Sequence, residues 1–260
     1  MFLYKKILFA LISIVFIQIK IAKAQTISQN NNVWLHYVGK NILTPKLSVT
    51  VEASMRYANG FNERQQYFIR PSVDYQFTKH FTGSVGYTHY DTYIYGSPAI
   101  NKTTIPEDHI WLQGTFVHQK GDLRITNRLR DENRFVGVAV GTKDAATGET
   151  NYAISNYEYR NRVRYMLLLQ YPIIKKEGKP ILNALLGDEV FLNIGAQSGA
   201  TLLNQNRIIA GFGYPINPHH QIQLAYIHQN LLNKAATIEE INPTIRLSYL
   251  TNFSFVSQKK

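Results

Sequence analysis

From Ser155 to Pro172 the chain changes character at every second residue. Tyr157, Tyr159, Asn161, Val163, Tyr165, Leu167, Leu169 and Tyr171 form one set; Glu158, Arg160, Arg162, Arg164, Met166, Leu168 and Gln170 form the other. Only an extended strand keeps two such sets apart, because its successive Cβ atoms point to opposite faces. The first set is aromatic at both ends and mostly aliphatic between, the profile of a strand crossing a bilayer between two aromatic girdles. At roughly 3.3 Å per residue and a tilt of about 40°, such a stretch advances about 35 Å, enough to reach both interfaces. The opposite face carries arginines that lipid would reject.

The same alternation recurs along the chain. In Lys46 to Tyr57, Leu47, Val49, Val51, Ala53 and Met55 alternate with Ser48, Thr50, Glu52, Ser54 and Arg56. Further strands are predicted at Arg64 to Phe77 (where Pro71 costs one ladder bond), Phe81 to Tyr93, His109 to His118, Leu123 to Arg134, Asn183 to Ile194, Arg207 to Tyr214, Gln221 to Gln229 and Thr244 to Phe255. Short turns such as TKH and QKGD alternate with long connections, among them YGSPAINKTTIPED and a Gly- and Thr-rich stretch from Gly137 to Ser155. This predicts an all-β, transmembrane, antiparallel up-and-down β-barrel of about 10–12 strands, with long outer loops and short periplasmic turns. Counted from Lys46, the strands number about ten and both ends of the set fall on the periplasmic side. Val33 to Val38, with Trp34 and Tyr37 at interfacial size after a polar lead-in QTISQNNN, makes the count odd. It is then either partial or balanced by a twelfth strand in a stretch such as Phe135 to Val140. A soluble barrel of the lipocalin kind is the competing fold, and would turn its apolar residues inward.

Composition adds where the chain works. Residues 1–24 have the form of a cleaved signal peptide: Lys5 and Lys6, an apolar run from Ile7 to Ile19, and Ala22-Lys23-Ala24 as the cleavage site. The barrel domain is then 25–260, and the expected location is the cell outer membrane. Four lysines leave with the leader, so Lys plus Arg falls from 28 to 24 against 17 acids and the net charge from +11 to +7. Alternating charge on an exported chain gives no case for nucleic acid. Cysteine is absent, which excludes disulfides and thiolate metal sites. Outer-membrane lipid and the assembly machinery of that membrane are the partners such a barrel implies.

The candidate chemistry lies on the inward polar faces of two strands: Arg124, Arg128, Arg130, Glu132 and Arg134 beside Glu158, Arg160, Arg162 and Arg164, with Glu189 on the next strand. One reading is a cationic lumen that binds or passes a small anionic solute. The other is a network filling a narrow barrel, with Glu52, Asp74, Glu158 and Glu189 partnering the arginines. The arginine excess keeps the first in play. A lipid-modifying enzyme needs a nucleophile and a base within reach. No His-x-Ser occurs; His89, His118 and His228 sit at strand ends, and His219 and His220 lie in a turn without nearby acids. No catalytic residue, metal site or cofactor is assigned. A third reading is adhesion or assembly through Thr142 to Asn156 and the other long loops.

The blocks EDHIWLQ (Glu107 to Gln113), NRLRDENRF (Asn127 to Phe135), YRNRVRY (Tyr159 to Tyr165), GDEVFLN (Gly187 to Asn193) and NQNRIIAGFGY (Asn204 to Tyr214) resemble the recurring blocks of a bacterial family catalogued as domain of unknown function 2490. The resemblance spans nearly the whole mature chain and implies an outer-membrane β-barrel of a Gram-negative bacterium, with no established activity, substrate or cofactor. The Ala-Gln junction and the many asparagines and tyrosines suit a Bacteroidetes-type source.

Overall fold

The computed structural model describes residues 26–256; the leader expected over residues 1–24 lies outside that range, as do residues 257–260. Twelve strands follow one another: β1 (Thr26–Gln29), β2 (Asn32–Ile42), β3 (Leu47–Ala58), β4 (Glu63–Gln76), β5 (Phe81–Thr92), β6 (Ile105–Lys120), β7 (Leu123–Lys143), β8 (Thr150–Lys176), β9 (Lys179–Ile194), β10 (Leu203–Asn217), β11 (His220–Leu232) and β12 (Ile238–Ser254). From β2 to β12 each strand pairs antiparallel with the next. The sheet then closes on itself where β12 pairs with β2 in parallel.

β1 continues the line of β2. Thr26 lies beside Ile238 and Asn32 beside Thr244, the same offset, so the two are one wall strand interrupted at Asn30 and Asn31. The barrel therefore has eleven wall positions. The Val33 to Val38 segment is a full strand, and Phe135 to Val140 is an extension of β7, not a twelfth strand. An odd count forces the first and last strands to run parallel, so the antiparallel up-and-down barrel expected from alternation closes through one parallel pair. It also places the ends of the wall at opposite rims: β2 starts at the long-connection rim, and β12 ends at the short-turn rim.

The distribution of side chains is inverted relative to a soluble barrel. Arg70, Glu132, Arg164, Glu189, Asn242 and Thr244 are buried, while Met55, Ile110, Leu112, Leu129, Leu186 and Leu224 are each more than half exposed on the outer face. Such an arrangement is stable only if the surrounding medium is hydrocarbon, so the lipocalin alternative fails and the wall is transmembrane. Among the described residues the buried apolar side chains form only a small cluster, Trp34, Ile209, Ala225 and Ile227. Polar groups on the outer face of β7 to β10 satisfy one another, Asn161 Nδ2 donating to Asp131 at 2.7 Å and Asn206 Nδ2 to Asp188 at 2.6 Å, as backbone and side chains in lipid require.

Two connections read as loops are structured. Gly137 to Ser155 is mostly strand: β7 and β8 continue as a ribbon to a tip at residues 144–149. The β5–β6 connection folds inward over the long-connection rim. Tyr95 is buried there and its hydroxyl donates to Glu240 at 2.9 Å. Burial pushes that hydroxyl well above its ordinary pKa, with Glu240 adding to the shift. Gly96 N–H donates to Glu63 at 2.8 Å, and its positive φ of 77° suits glycine. A Cβ there would stand 2.7 Å from Asn30 Oδ1, so the connection is seated directly on the N-terminal strand.

Candidate functional site

Strand alternation turns Arg56, Arg70, Arg130, Arg164 and Arg207 into the lumen together with Trp34, Phe68, Trp111 and Phe191, and the two kinds of side chain stack on each other. The Arg56 guanidinium lies 4.0 Å from the Trp34 ring and 4.9 Å from Phe68. Arg207 stands 5.0 Å from the Trp34 ring and 4.7 Å from Phe191, whose ring also receives Arg164 at 4.4 Å. Arg70 lies 4.7 Å from Phe68 and donates to Thr88 Oγ1 at 2.9 Å; the same oxygen accepts from Trp111 Nε1 at 2.9 Å, and Arg130 sits 4.1 Å over Trp111. Glu132 joins Arg164 (2.7 Å) to Arg130 (3.8 Å) and completes the circuit. A ring of guanidinium and aromatic plates thus lines the barrel, its cation–π pairs strengthened by desolvation and its remaining gaps bridged by Thr88 and Glu132. Trp34, expected at the membrane interface, faces the lumen; its Nε1 donates to Gln65 at 2.8 Å.

The predicted cluster divides into three groups. Arg128, Arg130, Glu132, Arg162, Arg164 and Glu189 are brought together: Arg162 clamps Glu132 Oε2 through Nε (2.8 Å) and Nη2 (2.6 Å), and Glu189 Oε1 accepts from Arg164 (2.7 Å) and Arg128 (2.5 Å). Arg160 and Glu158 pair at 2.9 Å nearer the long-connection mouth, where Lys234 joins Glu158 at 2.5 Å. Arg124 is exposed toward the short-turn rim, outside the network. Of the acids expected to neutralise arginines, Glu52, Glu158 and Glu189 do so, but Asp74 instead accepts from the hydroxyls of Thr50 (2.6 Å) and Ser72 (3.2 Å). Arg134 is held by Glu107, which also bonds His109. Arg56, Arg70, Arg207 and Arg246 belong to the same cationic surface. Their alternation with outward apolar residues marked them as inward, yet nothing local tied them to the two arginine-rich strands.

A family model described as "Protein of unknown function (DUF2490)" matches residues 31–239, from just before β2 into the start of β12. The chain belongs to the DUF2490 family. No curated protein matches it. Among solved structures, the DUF2490 chain is similar to one described as the NanC porin in a rhombohedral crystal form, at 11% identity over 78% of this chain and 89% of that one, with a TM-score of 0.40.

Inside the DUF2490 barrel the ring borders two cavities, and Trp34, Arg56, Tyr90, Arg164 and Arg207 line both. The outer one opens toward the long connections and is lined further by Arg134, Arg160, Arg162, Lys234 and by Ile100 and Asn101 of the inward-folded connection. The inner one lies toward the short turns. On the outside of the barrel, His89 Nδ1 bonds Asp108 at 2.8 Å and its Nε2 stands 3.6 Å from Asp91, while Tyr87 shares Asp108. This carboxylate–imidazole pair escaped notice in the sequence because Asp108 lies on the neighbouring strand. Among the described residues no serine or threonine hydroxyl is bonded to His89.

Proposed function

We propose that this DUF2490 protein is an exported outer-membrane barrel whose lumen holds small anionic solutes. The observation that carries this reading is the charge balance around the outer cavity, where seven cationic side chains, Arg56, Arg134, Arg160, Arg162, Arg164, Arg207 and Lys234, share four carboxylates, Glu107, Glu132, Glu158 and Glu189. Guanidinium groups removed from bulk water and short of carboxylates need counter-charge, and a cleft of one sign with low-dielectric walls concentrates the opposite ion. Gaps between stacked plates favour planar or tetrahedral oxyanions, which the guanidinium fork meets with two parallel hydrogen bonds. Lipid surrounds the wall, and insertion falls to the assembly machinery of that membrane. The enzymatic alternative finds an imidazole and a carboxylate at His89, but among the described residues no serine or threonine hydroxyl is bonded to the imidazole.

Gluconate and glucose, matched in size and differing in charge, test the reading by calorimetric titration of the purified barrel in detergent. Gluconate is expected to bind saturably, more weakly as salt rises, and glucose not at all. Equal heats for the two, or none for any anion, would overturn it.

A further inference from the structure

The inner cavity differs in kind from the outer one. Six arginines and His36 line it against Glu52 and Glu189, and both acids are already spent. Glu52 accepts from Arg70 at 2.8 Å and from His36 at 3.0 Å. Glu189 takes Arg164 and Arg128 on one oxygen and Arg207, at 3.6 Å, near the other. What is left over is specific: the buried Nε atoms of Arg56 and Arg246 have no hydrogen-bond partner among the described residues. Arg56 cannot turn away to find one, because its plane is stacked on Trp34 and its Nη1 is committed to Gln66 at 2.5 Å. A buried donor left unmade costs free energy that a ligand acceptor would recover. The same cavity carries Met166 and Ile209, each the next same-face position after an arginine (Arg164 and Arg207), and Leu168 beyond Met166. It therefore pairs unsatisfied cationic donors with an apolar wall.

We infer that the inner cavity is a second binding site, for a small organic dianion with an aliphatic body, a short dicarboxylate in chemical class. Its acidic ends are received by Arg246 and Arg56, and its methylenes lie against Met166, Leu168 and Ile209. The inference rests on the cationic-lumen reading and goes beyond it in naming a separate site and the ligand's form. Arg246 lines only the inner cavity and Arg160 only the outer one, so the two sites are separable by mutation.

The test uses Trp34, which with Trp111 makes up the chain's complement of 2 tryptophans. A Trp111→Phe protein, checked for a folded barrel by its mobility on unheated gels, is titrated with glutarate, with butyrate as the aliphatic monoanion and sulfate as the dianion without methylenes. Glutarate is expected to change Trp34 emission saturably. Arg246→Gln should weaken the inner-cavity phase of that change by roughly ten- to a hundred-fold, the worth of a charge-assisted pair, while Arg160→Gln weakens only the outer-cavity binding and leaves that phase in place. If glutamine at 246 unfolds the barrel, Arg246→Lys keeps the charge, loses the fork and carries the test with a smaller drop. Weakening by Arg160→Gln alone would confine anions to the outer cavity and overturn the inner site while the cationic lumen stands. Butyrate or sulfate binding as tightly as glutarate would overturn the ligand class. No anion binding by emission or by calorimetry would remove both readings.

Discussion

Glu132 is the residue on which the lumen network turns. It is fully buried and its two oxygens receive Arg162 twice and Arg164 once, with Arg130 close by. Replacing it by glutamine keeps the shape but leaves buried guanidinium groups uncompensated, at a cost of about 3–5 kcal/mol. Glu158, at the mouth and partly exposed, also holds two cations, yet Glu158→Gln should cost less than about 1 kcal/mol, because water replaces the lost partner. Urea unfolding of the two variants, followed by tryptophan emission, checks the contrast; equal losses would mean that the network is not centred on Glu132. Gly86 is a second sensitive point. A Cβ there would fall 2.2 Å from Trp111 Cζ2 and 2.7 Å from the Pro71 carbonyl, so Gly86→Ala should lower stability by about 1–3 kcal/mol through overpacking and displace Trp111 from Arg130, read as a shift in emission. At this scale the sequence was half legible. Period-two alternation put the arginines and Glu189 on one face of their strands, although Arg124, on that face, stands exposed toward the short-turn rim. It could not say that Asp74 would serve hydroxyls while Glu107 served Arg134, nor that Phe191 would become a plate for three guanidinium groups, since partners across a barrel are set by the stagger between strands.

Among elements, the β7–β8 hairpin stands apart. Val136 is the last residue of β7 paired to β6, and Asn161 the first of β8 paired to β9. Beyond them the two strands pair only with each other, out to Lys143 beside Thr150. A lone two-stranded ribbon is marginal in water, so its outer part contributes little to the barrel. Joining Ala139 to Ile154, which are register partners, through an Asn-Gly turn should leave the unfolding midpoint within about 0.5 kcal/mol of the parent. A larger loss in the same urea assay would show that the ribbon braces the wall. The ribbon also explains why the sequence read as a loop here. Both of its faces meet water, so neither needs to be apolar and the alternation that reveals strands elsewhere is missing. β1 was hidden for the related reason that its inward Ser28 and its neighbours Asn30 and Asn32 are buried polar residues, bonded as Asn30 is to Asn242 at 3.1 Å. Strands with one face in lipid were legible; those without were not.

For the whole molecule, the parity of the strand count decides topology. With eleven wall positions the first and last strands run parallel, and if the short turns face the periplasm, Thr26 lies at the outer surface while Val256 lies at the inner one. An epitope placed before Thr26 should then bind antibody on intact cells, and one placed after Val256 only once the outer membrane is permeabilised. The seam itself permits a sharper check, because the chain has no cysteine to confuse it. Leu35 on β2 stands directly beside Leu247 on β12, and both point outward. Cysteines at these two positions should be joined readily by a short bis-thiol cross-linker in the folded barrel, whereas Leu35→Cys with Phe253→Cys, six residues further along β12, should not. A parallel pairing at this offset predicts that difference, since neighbouring strands lie about 4.8 Å apart and each residue step adds roughly 3.3 Å along them. An antiparallel seam would bring other residues opposite Leu35. It would also require an even number of strands, and so would put both ends of the chain on one side of the membrane. Cross-linking at the distant pair, or both epitopes appearing on one face, would therefore replace the eleven-position barrel with a different closure.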